Sequence, residues 1–212
     1  MANTRELQSR MKSIKDTMKI TSAMHMIASS NLQKAKKNLE ETEPYFYTLQ
    51  IMIAGILGHM QGGIEHQYFD ERPEIKEADR KKGYIVVTAD KGLAGGYNHN
   101  VIKLAQEFLD KPGHNELFVL GQLGRSYFQK KNVDVDTSFK YTVQKPTMHR
   151  ARVIAEKMLD LFNRKELDEV HIIYTRMENA VEMVAETKQL LPLQSGAFCE
   201  VPAGIQLDEI PM

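Results

Sequence analysis

Apolar residues recur along the first forty positions with a strict 4-3 spacing: Leu7, Met11, Ile14, Met18, Thr21, His25, Ala28, Leu32, Ala35 and Leu39. Thr21 and His25 are the only polar members of this series. A repeat of 3.5 residues sustained over more than four heptads predicts a coiled-coil helix, because each stripe residue must keep facing a partner helix. Asn3 followed by Glu6 predicts a cap at the start. The pattern resumes through Tyr45, Leu49, Ile53 and Leu57 and stops at Gly58, Gly62 and Gly63, with Pro44 expected to kink the helix. If helical from Thr4 to Leu57, this segment is on the order of 80 Å long at 1.5 Å per residue, and it is expected to protrude.

The pattern then changes. Residues 64–80 are polar, contain Pro73 and several acids, and are expected to be a linker. From Gly83 onward, short continuous apolar runs alternate with amphipathic stretches. Tyr84–Thr88, Leu117–Leu120 and Val170–Tyr174 predict buried strands, with a further strand over Val133–Phe139. Residues 96–110, Gly121–Lys131 and Met148–Leu161 predict helices. Periodicity alone leaves Ala180–Leu191 open between helix and strand. The expected fold class is α/β: a long N-terminal coiled-coil helix plus a Rossmann-like, three-layer α/β domain. The expected division is 1–60 for the helical shaft, 61–82 for the linker, 83–194 for the α/β domain, and 195–212 for a lead-in segment. No second segment matches the first helix in length and heptad register, so its partner must come from elsewhere.

Charge sharpens this picture. The chain balances 28 basic against 28 acidic side chains. Residues 1–40, however, hold eight (Arg5, Arg10, Lys12, Lys15, Lys19, Lys34, Lys36 and Lys37) against Glu6, Asp16 and Glu40, a surplus of five. An acidic partner is expected for the first segment. The basic residues are interleaved with a regular apolar stripe and lack side chains arranged for base contacts, so acidic protein surfaces are favoured over nucleic acid. No run approaches the ~18 apolar residues of a membrane-spanning helix, so membrane association is expected only through partners.

Candidate chemistry is sparse. Cys199 is the only cysteine, which allows no internal disulfide and no thiolate cluster. The seven histidines show no metal-ligand spacing, and no catalytic constellation is visible. No cofactor is expected. Thr88–Asn98 is glycine-rich and lies between a predicted strand and helix, where α/β folds place phosphate loops. Its spacing matches neither the dinucleotide fingerprint nor the P-loop. A tight turn using Gly92, Gly95 and Gly96 is the simpler reading, with a nucleotide- or phosphate-binding protein using Asp90–Asn98 as the alternative.

Three segments, in order, carry a family resemblance. Met1–Arg10 with Ile14 and Lys15, followed by Lys19–Ala28, resembles the start of the gamma subunit of F-type ATP synthases. The loop with Asp90, Gly92, Leu93, Gly95, Gly96 and Asn98 resembles that family's second signature, and Gln189–Leu193 the end of its α/β domain. The resemblance implies a non-catalytic rotor subunit of a proton-transporting ATP synthase. Its shaft helix would turn within a ring of alpha and beta subunits, and its α/β domain would face the epsilon subunit and the membrane ring of c subunits. It implies that Lys19, Ile20, Thr21, Ala23, Met24 and Met26 meet the acidic lever of the beta subunit. It also implies an extended conformation for residues 180–193, and hence a strand. Ser22 and Ala94 stand where many members carry lysine and cysteine. The family's second long helix would follow Glu200–Pro211, so this chain is expected to be either a fragment of a longer gamma subunit or a shortened gene product. Without a transit peptide, the expected location is the cytoplasmic side of a bacterial membrane.

Overall fold

The computed structural model describes residues 3–59, 66–136, 141–144, 146–179 and 182–194. Helix α1 (Thr4–His59) is a single helix of 56 residues. Asn3 caps it: its side-chain oxygen accepts from the Arg5 amide at 3.4 Å, and its carbonyl takes the Glu6 and Leu7 amides. Glu6 does not complete a capping box but pairs with Arg10 one turn on, at 2.6 Å. The hydroxyls of Thr17, Thr21 and Thr42 donate to carbonyls four residues back, so these polar side chains are satisfied within the helix. Helical structure passes through Pro44 without a break. One missing ladder bond is too small a defect to end a helix of this length.

The second unit is built on strands β1 (Lys81–Val87), β2 (His114–Leu120), β3 (Glu169–Met177) and β4 (Met183–Leu191), in the order β2-β1-β3-β4. β1 pairs parallel with both β2 and β3, and β4 closes the edge antiparallel to β3. Helices α2 (Tyr97–Leu109), α3 (Gln122–Lys130) and α4 (Met148–Asn163) connect them. Alternation along the strands divides the core. Tyr84 and Val86 of β1, with Leu117 and Val119 of β2, pack against Val101, Ile102 and Ala105 of α2 and Phe128 of α3. Ile85 and Phe118 point to the opposite face and meet Met158, Leu161 and Phe162 of α4. A mostly parallel sheet is thus covered on both faces, the expected three-layer arrangement.

Two expectations are corrected. The strand over Val133–Phe139 reduces to a single parallel bridge between Phe118 and Asp136, residues 137–140 lying outside the described chain. Val135 is buried, but Asp134 and Asp136 flank it, and aspartate disfavours strands. The polar stretch 66–80 does not behave as loose chain. It makes single 3₁₀ turns at Gln67–Phe69 and Glu77–Asp79 and is bonded into the sheet unit. The Leu193 amide donates to the Tyr68 carbonyl at 2.6 Å.

Arg72 is the main fastening, buried and in the left-handed region at φ 47°. Its guanidinium donates to the Leu167 carbonyl (2.8 Å), the Asp168 carboxylate (2.6 Å) and the Phe162 carbonyl (2.8 Å), and lies over the Phe162 ring. The second Asp168 oxygen accepts from the Lys81 amide at 2.9 Å, tying the pair to the start of β1. Arg80 repeats the device nearer the surface, reaching Glu169 at 2.9 Å.

Tyr84 shows the electrostatic cost of this core. Only 2% exposed, its phenol is pushed up to about 12, chiefly by burial and then by the carboxylates of Glu169 and Glu77. An unfolded tyrosine ionises near 10. Stability contributed by the neutral phenol is therefore complete below pH ~10 and is lost as pH rises through the folded value. In an absorbance titration of the folded chain, we expect a late-ionising tyrosine that Tyr84→Phe removes; a Tyr84→Phe titration identical to wild type would contradict this assignment.

Candidate partner-binding site

Every residue of α1 from Thr4 to Thr42 is exposed. The stripe predicted to be buried in a coil is therefore open: Leu7, Met11, Ile14, Met18, Leu32 and Leu39 are each more than half exposed, with Ala28 and Ala35 exposed between them. Ile20, Met24, Met26 and Ile27 are also at least half exposed and lie off the stripe. Over residues 18–28 the helix is thus apolar around much of its circumference. Lys19 and Ala23 are exposed on the same stretch, with Lys19 3.6 Å from Asp16. Thr21 is exposed, its hydroxyl bonded to the Thr17 carbonyl at 2.9 Å. Helical apolar surface on this scale, rimmed by charge, marks an interaction site.

The glycine loop is a brace. Asn98, buried at the start of α2, accepts the Ala89 amide at 2.8 Å. The two oxygens of Asp90 accept the amides of Gln122 and Gln144, at 3.1 and 3.2 Å. The loop's acidic and amide side chains are thus committed inside the fold, holding the end of β1 to α2, to the start of α3 and to the segment before α4. Gly95 has positive φ (56°), a conformation that favours glycine. Gly92 and Gly95 have no close neighbour for a Cβ, and Gly96 approaches only the Asn100 side chain, so close packing is not their role. Leu93 sits in the left-handed region at φ 64° and is 94% exposed.

Two glycines beyond this loop pack closely against its first residue, Thr88. Gly121, at φ 94°, lies against Thr88 so tightly that a Cβ would sit 2.2 Å from the Thr88 carbonyl oxygen. Gly124 would place a Cβ 2.6 Å from the Thr88 side chain. Thr88 occupies the space they leave: its hydroxyl donates to the Leu120 carbonyl and accepts the Gly124 amide, both at 3.0 Å. The signal was available as two glycines three apart opening an amphipathic helix.

Among the described residues, no group of three or more His, Cys, Asp or Glu side chains could hold a metal, and no helix is long and apolar enough to cross a membrane. A long basic helix with uncovered apolar faces, and an α/β unit whose signature loop is spent on its own fold, define a subunit that works by association. Comparison with known proteins gives the family. The family model described as ATP synthase matches residues 3–208. The ATP synthase gamma chain of Ruminiclostridium cellulolyticum is 46% identical over 209 residues, covering 98% of this chain and 69% of the relative. That of Acetivibrio thermocellus is 45% identical over 194 residues, covering 92% and 65%. Among solved structures, the Tetrahymena thermophila mitochondrial ATP synthase central stalk and c-ring is similar in fold, with a TM-score of 0.58 at 22% identity, over 89% of this chain and 81% of that one. The chain belongs to the ATP synthase gamma chain family, a non-catalytic subunit of that complex. It spans about two thirds of the length of these relatives.

Proposed function

We propose that this chain serves in the central stalk of a proton-translocating ATP synthase, coupling ion flow through the membrane ring to ATP synthesis on the beta subunits. On this reading α1 turns within the ring of alpha and beta subunits, and Lys19, Ile20, Thr21, Ala23, Met24 and Met26 meet the acidic lever of beta. The α/β unit contacts the epsilon subunit and the c ring, and the chain is peripheral to a bacterial membrane on its cytoplasmic side. The 195–212 segment, outside the described residues, is read as the approach to a second shaft helix.

One observation carries the proposal: over residues 18–28 the exposed helix is apolar beyond a single stripe. One partner helix can cover one stripe. A second apolar surface needs a second, surrounding partner, as a shaft inside a sleeve has. The basic surplus of residues 1–40 complements an acidic lever.

The test is to mix the purified 212-residue chain with an alpha–beta ring and follow sedimentation and circular dichroism. The chain is expected to co-sediment with the ring, and Met24→Glu to weaken this by tenfold or more, because it sets a carboxylate against the acidic lever. A chain that stays outside the ring, or a Met24→Glu variant that joins it as well as wild type, would count against the sleeve.

A further inference from the structure

We propose that His25 is the register key of the α1 stripe, and that the helix covering this stripe is an acidic one that brings a side-chain oxygen to His25. The inference rests on the reading that α1 pairs with another helix, and goes beyond it by fixing the chemistry and alignment of that helix.

The stripe has ten members from Leu7 to Leu39, and its two polar members, Thr21 and His25, are the fifth and sixth. They form the middle of the seam. A slip of the partner by one heptad leaves an all-apolar stripe nearly as well covered, so apolar layers alone specify alignment weakly. A polar layer at the centre breaks that degeneracy, because only one alignment satisfies it. By the 3.5-residue phasing, His25 occupies an a position, where a single polar side chain sets register at some cost in stability.

The two polar members are not equivalent. Thr21 has already given its hydroxyl proton to the Thr17 carbonyl at 2.9 Å, so it can face an apolar neighbour without an unmet donor. His25 is exposed, and its ring nitrogens bond none of the described residues. Covering it with leucine would bury a donor and an acceptor unpaired. The covering helix must therefore supply a hydrogen-bonding group at this layer. A side-chain oxygen serves, since it accepts from the ring N–H whichever tautomer is present.

Charge selects among occupants. A second copy of this chain would set one basic surplus of five beside another, in either orientation, because the surplus is spread over both halves of residues 1–40. Like charges flanking a seam oppose pairing. An acidic helix with its own apolar stripe meets both requirements.

The experiment uses the full 212-residue chain and two synthetic acidic peptides of five heptads, each with leucine at the stripe positions. One carries glutamine at the central layer, the other leucine throughout. Affinities of both are measured by fluorescence anisotropy for wild type and for His25→Leu. His25 is exposed on the helix, so the variant is expected to keep its circular dichroism. The expected result is a crossed preference: the glutamine peptide favours wild type by about tenfold, and the leucine peptide favours His25→Leu by about as much. Equal effects of His25→Leu on both peptides would overturn the key while leaving the stripe as a helix-binding surface. Failure of either peptide to bind either protein would overturn the helix-pairing reading as well. Stable self-association through α1, seen by sedimentation of the chain alone, would overturn the choice of occupant.

Discussion

Replacing Arg72 with alanine is expected to destabilise the α/β unit by about 3–5 kcal/mol, the range seen when one partner of a buried ion pair is removed. Both Arg72 and Asp168 are at most 5% exposed, so the remaining carboxylate would gain little from water. Three separate donations end with the guanidinium, two of them to the carbonyls of Phe162 and Leu167. Arg72→Lys should recover only part of the loss, because an ammonium cannot reproduce the planar fork that reaches all three acceptors. Urea unfolding, followed by tyrosine near-ultraviolet circular dichroism, reads this directly. A midpoint for Arg72→Ala within 1 kcal/mol of wild type would show that the pair is not a fastening.

The second large effect is a contrast between two glycines. Gly124→Ala forces a Cβ to within 2.6 Å of Thr88 Cγ2 and Oγ1, both of which belong to a side chain. Gly121→Ala forces one to within 2.2 Å of the Thr88 carbonyl oxygen, and also imposes φ 94° on an L residue. Overpacking of the first kind costs about 1–3 kcal/mol. The second adds a backbone clash to conformational strain of about 1–3 kcal/mol, and is expected to leave little folded protein. The double variant Thr88→Ala/Gly124→Ala should regain much of the stability lost in Gly124→Ala, short of the hydrogen bonds of the missing hydroxyl. The same Thr88→Ala change should not rescue Gly121→Ala. Rescue of both, or of neither, would mean that Thr88 is not what these glycines accommodate.

These two contacts also show where sequence reasoning stops. The α1 stripe, the continuous apolar runs of β1, β2 and the middle of β3, and the amphipathic faces of α2 and α4 were legible because each is a local periodicity. Arg72 was not: within its own neighbourhood it is one charge in a polar stretch, and its value comes from Asp168, 96 residues away. β4 could not be read from its pattern, since an edge strand with exposed Met183, Val184 and Leu190 beside half-buried residues lacks clean alternation. Its strand assignment came from family resemblance. Val133–Phe139 was over-read because one buried valine between two aspartates imitates a short strand. The glycine loop was located correctly, but spacing could not reveal that Asp90 and Asn98 spend their oxygens on backbone amides. Along α1 the apolar periodicity was legible; the additional apolar surface over residues 18–28 rests on exposures read from the structure.

The central place of β1 in the order β2-β1-β3-β4 bears on how the molecule is made. β1 gains β2 early, but its other neighbour, β3, is synthesised only after α2, α3 and α4. Helix α1 needs only contacts a few residues apart and can form while the ribosome is still translating the rest. The sheet must instead close a long loop, and non-local parallel pairing of this kind is slow. During that interval a basic helix with uncovered leucine, isoleucine and methionine side chains is already present while the sheet is unfinished, the kind of species that aggregates or recruits chaperones. Yield in a cell should therefore depend on how soon the helix is covered, and separate expression of this chain should favour inclusion bodies over soluble protein.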